Sequence, residues 1–416
     1  VSSFVSSRYA RLSRADLAAL VPELLLCGHL IDRSGMTWAL DALGRAAMLQ
    51  IAIDEWSAAS PVYTRRMQRA LGFEGSDVAT IFKGLQLDIG APPQFMDFRY
   101  QLDGPQRGEF WLDHCGALLD VEPLGSDFVL GMCHDIEDPT FDATAAATNP
   151  RARMRPIHRP PRTPADRHPH CRWVVDIDET RDPVEPHPLL AEINRSWAAT
   201  LQLAPIDPAD PGRSDYAGSL LSDLDFAAFS HSALTRIADE VSIQHHLLAL
   251  GFGHALDRHL AGPAAEPSRT ISTKQLIGIA GLTAERIHRA LALEATLDGA
   301  VSMLQLHPVF NPAAYVDAVF AGNTVTVRPS PAHQDGAWLT RCGPHSVAPL
   351  QAMVRAVDPR FDVDVTGTPD DWELTVVARE QVAPEASEVQ LTRFSGGANF
   401  AFQPRTSLPI TAGRRG

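Results

Sequence analysis

The amino-acid sequence predicts an α+β fold: N-terminal helices followed by a small sheet, a helical middle region, and a C-terminal antiparallel sheet with one helix. Three observations carry this expectation. Apolar residues recur at helical spacing through residues 13–86 and again beyond Pro188. Short aromatic or β-branched runs, bounded by Gly, Pro and Asp, follow Phe95, and similar runs return after His307-Pro308. Helices and strands that stand in separate blocks, instead of alternating, mark this class.

Taken in order, Ser13 and Asp16 form a capping box ahead of Leu17, Leu20, Leu24 and Leu25. Further helices are expected over residues 37–58, 62–71 and 77–87, divided at Pro61 and ended by Gly72 and Gly90. Strands are expected over 95–102, 108–114 and 127–134. Residues 149–171 hold six prolines, six arginines and three histidines, which excludes a helix and a central strand. CRWVVDID, from Cys171, reads as a clear strand. Two long helical stretches follow, 226–260 and 272–304. Strands are then expected over 324–328, 338–341, 361–366, 372–378, 388–393 and 399–403, with a helix over 346–357. The pattern divides the chain into segments 1–182, 183–306 and 307–416.

Composition narrows the function. The chain has 416 residues, 36 Lys and Arg against 50 Asp and Glu, and a formal charge of -14. That balance argues against a protein held to nucleic acid or anionic lipid by long-range attraction. No run approaches ~18 apolar residues, so no membrane-spanning helix is expected. The first residues lack the layout of a secretory signal. Five scattered cysteines suit a reducing cytoplasm better than a disulfide framework. A soluble cytoplasmic protein acting on a small molecule, free to form a homo-oligomer, is the expectation.

The chemistry-bearing residues concentrate in the first segment. His114-Cys115, Cys133-His134 and His170-Cys171 stand at the ends of expected strands, where a sheet can gather them. Thiolate and imidazole together are ligands for a divalent metal such as zinc, which would activate a water. The same residues also suit a Cys–His nucleophile pair, with Cys133 or Cys171 as thiol and His134 or His170 as base. Adjacent strand residues face opposite sides, so each pair can give only one member to a shared site. Glu137 falls on the face of Cys133 if that strand continues, and would orient the site. Arg99, Arg153 and Arg155 could clamp an anionic substrate.

Other features read more plainly. His231, Glu240, His245, His246, His254 and His259 lie on one helix without metal-site spacing, and an exposed helix face accounts for them. Cys342-Gly-Pro-His345 reads as a turn. TKQLIGIAGLTAERIHRAL, within 272–291, has the outline of a helix-turn-helix with Gly281 at the turn and Arg286, His288 and Arg289 on the second helix. A small-molecule-sensing regulator is therefore the alternative to an enzyme, and a non-catalytic ligand-binding protein is a third.

Residues 37–178 resemble the L-2-amino-thiazoline-4-carboxylate hydrolase-like family. A helical lead-in ends near RRMQRALGFEGSDVATIFKGLQL, a cysteine follows in CHDIED, then an Asn-Pro turn in NPRARM, and a last strand opens with the cysteine of PHCRWVVDID. The matching positions are Cys133, Asn149, Pro150, Cys171 and Trp173; Arg167-His168-Pro169-His170 replaces the family's Gly-rich approach to the last cysteine. The resemblance implies a hydrolase that opens a carbon–nitrogen bond in a small heterocycle bearing a carboxylate.

Overall fold

The computed structural model describes residues 4–260, 266–404 and 410–412. The architecture is α+β, as expected. Two long helices lead, α1 (Arg14–Leu43) and α2 (Arg45–Ala70), followed by α3 (Val78–Leu85), β1 (Met96–Leu102) and β2 (Arg107–Cys115). Then come α4 (Gly116–Val121), α5 (Ser126–Leu130), a π-helical turn over Gly131–Ile136 and α6 (Glu137–Ala146). The first sheet is completed by β3 (Ala152–His158) and β4 (Cys171–Ile177). Short helices α7 (Leu190–Ile193) and α8 (Trp197–Thr200) precede the long α9 (His231–His259) and α10 (Glu266–Ala290), with α11 (Leu297–Leu306) behind them. The C-terminal part holds β5 (Ala318–Ala321), β6 (Thr324–Val327), α12 (Pro331–Gln334), α13 (Ala348–Arg355), β7 (Phe361–Gly367), β8 (Trp372–Ala378), α14 (Ser387–Thr392), α15 (Gly396–Asn399) and β9 (Thr411–Ala412).

The first sheet has the order β3-β4-β2-β1-β9, antiparallel except for β9, which runs parallel to β1. The proline-rich β3 sits at its edge, where missing donors are tolerated. The second sheet, β5-β6-β8-β7, is antiparallel throughout. Alternation is clean in β4, whose Cys171, Trp173, Val175 and Ile177 face the core.

Six local expectations need correction. Pro61 does not divide the second helix; α2 runs through it, because both flanks pack against α9. Residues 127–134 are helical and not a strand: a short apolar run fits a buried helix as well as a strand, and Gly125, at φ 104°, starts a helix there. Residues 388–393 form α14, with Val389 and Thr392 one helical turn apart on its buried face, 338–341 are a 3-10 turn, and 399–403 are in no strand. Finally, the 272–291 segment has no turn. It is the interior of the continuous α10, and Arg286 is fully buried, so it cannot meet DNA in this fold.

One hydrophobic core draws on all three parts of the chain. The helices α1, α2, α9 and α10 pack side by side at its centre. Charge is buried with them. Arg66 on α2 donates to both carboxylate oxygens of Glu240 on α9, at 2.8 and 3.1 Å, and to the carbonyls of Ala199 and Leu201. His245 and His246 are buried, not exposed as their helix suggested: their Nε2 atoms bond the carbonyls of Leu24, and of Pro308 and Asn311. His307 does the same toward Ala280. Among the described residues, no helix is long and apolar enough to cross a membrane.

Candidate functional site

The expected Cys/His cluster assembles by halves. Cys115, Cys133, Cys171 and Glu137 lie near enough to repel one another's charge, so the sheet and the π-helical turn do gather them. Glu137 neighbours Cys133 as the next turn of a helix, not as the same face of a strand. The histidines go elsewhere. His114, His168 and His170 form a ring cluster with centroids 5.0 and 6.2 Å apart, and Phe400 stacks on His114. His134 spends its Nε2 on the Pro160 carbonyl at 2.7 Å.

This arrangement fits neither chemistry expected of it. Among the described residues, no three His, Cys, Asp or Glu side chains converge as metal ligands. Burial pushes the Cys115 thiol up to about 12 and raises those of Cys133 and Cys171 well above the usual thiol range, with Glu137 adding to the effect. Such thiols stay protonated and inert near neutrality. Cys115 has a structural task, since its sulfur caps α4 by accepting from the Leu118 amide at 3.3 Å. All five cysteines are buried. Native protein at pH 7.5 should therefore take up no iodoacetamide within minutes, and five equivalents once unfolded; rapid native labelling of Cys133, read by peptide mass, would restore a thiol mechanism.

The arginines are likewise engaged. Arg99 pairs with Asp97, Asp113 and Asp223 at 3.1–3.5 Å. Arg153 and Arg155 both reach Asp142 on α6, at 3.8 and 2.9 Å. None of the three lines the cavity described next.

That cavity lies between α1, α2, α6 and the π-helical turn, and has two chambers. The outer one, about 610 Å³, is walled mainly by apolar side chains, Met36, Leu40, Met48, Leu49, Leu124, Phe128 and Phe394 among them. The inner one is about 110 Å³ and holds His29, Asp32, Arg33, Trp56, Tyr63, Asp88, Glu137, Thr140 and Phe141. The chambers share Asp32, Arg33, Met132 and Ile136 as a common wall. Across it the Arg33 guanidinium donates to the Met132 sulfur at 3.3 Å.

Helical spacing explains how these residues meet. His29, Asp32, Arg33 and Met36 fall at i, i+3, i+4 and i+7 of α1, and Glu137, Thr140, Phe141 and Thr144 repeat that spacing on α6. Gly28 lets α1 approach closely, for a Cβ there would stand 2.3 Å from Ile89 and 2.9 Å from the His245 ring. Gly131 does the same for the π-helical turn against Leu49. Turns of this kind recur at functional sites, where the wider pitch re-aims side chains.

The inner chamber is rich in unsatisfied polar groups. Both ring nitrogens of His29, Oδ1 of Asp32 and Oε2 of Glu137 are buried without a hydrogen-bond partner. Behind Asp32, Glu55 on α2 is fully buried, and the two carboxyls are within reach of sharing a proton; burial and Asp32 push Glu55 well up. Burial raises Glu137 to about 8, tempered by Arg159 and assisted by Asp138. Asp88 is raised to about 6 by burial, while hydrogen bonds from the Gly90 amide and the Tyr63 hydroxyl hold it down. Burial lowers His29 to about 3, so it is neutral, and Arg33 adds to this. Arg33 itself lies 3.5 Å from Asp32 and 4.0 Å from Asp120. Buried polar atoms without a protein partner call for a water, an ion or a ligand.

Of these residues only Glu137 was singled out from the sequence. The signal for the others was present: His29, Asp32 and Arg33 interrupt a stretch of α1 that is apolar all round, from Leu24 to Ile31, and polar groups in such a helix must be buried.

Comparison with protein-family models, with curated proteins and with solved structures finds no match to this chain.

The buried groups set opposing pH dependences. Histidines 29, 245, 246 and 307 are lowered from 6.5 to about 3, 3, 4 and 3, so the unfolded chain binds more protons than the native one below pH 6.5. Their stability is full above that value and is lost as pH falls. Asp88, Asp239 and Glu137, raised to about 6, 7 and 8, act the other way: their contribution is full at low pH and is lost as pH rises through those values. The two sets offset each other between roughly pH 4.5 and 6.5. The melting temperature should be flat there and fall on both sides, in contrast to a chain whose stability still climbs beyond pH 8.

Proposed function

We propose that the protein is an acid–base enzyme, a hydrolase of a carbon–nitrogen bond in a small molecule, working in the inner chamber. The observation that carries this is the pair of buried carboxyls facing one small space with displaced acidities: Glu137 at about 8 and Asp88 at about 6. Near pH 7 the first is protonated and the second ionised, which is how one site comes to hold both an acid and a base. Asp88 takes a proton from water as it attacks the substrate carbon, and Glu137 gives its proton to the departing nitrogen. Neutral His29, with both nitrogens uncommitted, offers a hydrogen bond to the oxygen that gains charge. The apolar outer chamber holds the rest of the substrate.

The reaction class is the one the family resemblance implies; the groups that perform it move from the thiols to the carboxyls. A regulator built on a helix-turn-helix loses its motif to the continuous α10. The test is turnover of a panel of small amides, lactams and amidine heterocycles by wild type, Glu137→Gln and Asp88→Asn. Turnover at pH 7 that disappears in both folded variants supports the reading. Turnover indifferent to both, or none across the panel, removes it.

A further inference from the structure

We infer that the inner chamber receives a compact protonated-amine head, and that the substrate's apolar body lies in the outer chamber. This rests on the reading of the cavity as the working site, and adds which class of molecule fills it. Charge decides the head. Asp32 and Asp88 line the inner chamber beside Glu137, which is neutral near pH 7, against the single guanidinium of Arg33. That guanidinium is already shared between Asp32 and Asp120, so it has little to offer an anion. The Glu137 Oε2 and the two nitrogens of His29, which is 5% exposed, have no protein partner, while Asp32 and the buried Glu55 face each other. The neutral His29 ring keeps one accepting nitrogen and Glu137 its carbonyl oxygen, and an ammonium brings up to three donors with a positive charge.

Size and surroundings agree. A volume of about 110 Å³ gives room for ~3–4 water-sized groups, enough for an ammonium and the carbon that bears it. Trp56 and Phe141 wall the same space, and aromatic faces attract a desolvated cation. The two chambers adjoin at Arg33 and Met132, which sets the apolar outer chamber beside the head.

The probes are n-octylamine, n-octanol and octanoate, titrated calorimetrically into the full chain at pH 7. Octylamine should bind roughly tenfold or more tighter than octanoate, with octanol between them. Asp32→Asn should shrink the amine preference and leave octanol binding in place. Octanoate binding as tightly as the amine, or none of the three binding at millimolar concentration, would overturn the inference. The wild-type preference decides the matter if Asp32→Asn fails to fold, and Leu49→Trp, which narrows the outer chamber, should then weaken all three probes alike. Binding needs no proton transfer, so the two readings fail separately. Amine preference without turnover of any panel member removes the hydrolase and keeps the amine; turnover without amine preference does the reverse.

Discussion

Glu137→Gln should lower turnover by about 10²–10⁴-fold while leaving the protein folded, because the substitution removes a transferable proton and little else. The wild-type side chain is half-buried and neutral at pH 7, and glutamine matches that neutral acid in size and charge. Its neighbours, Arg159 engaged by Asp138 at 2.5 Å and the thiols of Cys115, Cys133 and Cys171, keep their contacts. The pH profile gives the finer test. Wild-type activity should rise as Asp88 ionises near pH 6 and decline as Glu137 loses its proton near pH 8. Asp88→Asn should abolish the lower limb, for the Asn oxygen can still accept from Tyr63 and Gly90 but can take no proton. Stability supplies an independent sign. Burying Glu137 costs stability from the unfolded value of 4.5 upward and in full above about pH 8, a loss glutamine cannot incur, so the advantage of Glu137→Gln in melting temperature should grow from pH 5 to pH 9. A variant that keeps wild-type turnover, with both limbs intact, would dismiss Glu137 from the reaction.

The contrast between what was legible and what was not follows from how each signal arises. The helices, β1, β2 and β4 were visible because their patterns are local: a capping box at Ser13, alternation in CRWVVDID, prolines confining β3 to an edge. Residues 127–134 were not, since an eight-residue apolar run has no period long enough to separate helix from strand. The site was half legible. The cysteines and Glu137 were expected together and are together, but the expectation weighed residue type and could not weigh desolvation, which raises the thiols and the carboxyl alike. Asp88 and His29 lie 59 residues apart in sequence (88 − 29) and meet only because α1 and the loop after α3 pack on the same space. No spacing rule reports that. Helix 272–291 shows the converse error: Gly281 resembles a turn, yet serves close packing against Val389 and Ala352.

That helix also yields the largest stability effect expected of a single substitution. Arg286 has no exposed surface, and its guanidinium meets Glu23 on α1 at 2.5 Å, the carbonyls of Gly397 and Ala398 at 2.9 and 3.0 Å, and that of Phe400 at 2.8 Å. One side chain thus ties α10 to α1 and to the segment around α15. Arg286→Ala would leave the Glu23 carboxyl in a buried place with its main counter-charge gone, and the carbonyls of Ala398 and Phe400 without a donor. Loss of one partner of a buried, multiply bonded pair costs about 3–5 kcal/mol, which chemical denaturation resolves easily. Lysine cannot repair it, since a single ammonium cannot span four acceptors set around a planar fork. Adding Glu23→Gln to Arg286→Ala should recover part of the loss, because it removes the stranded charge while leaving the orphaned carbonyls. The consequence reaches the cavity. Ser395 and Gly396, next to the released segment, hold Asp120, whose carboxylate lies 4.0 Å from Arg33 at the wall between the chambers. Arg286→Ala should therefore speed hydrogen exchange at 395–400 and weaken octylamine binding, although the substituted residue lines neither chamber. A loss below about 1 kcal/mol would place Arg286 among ordinary surface positions, against its burial and its four bonds.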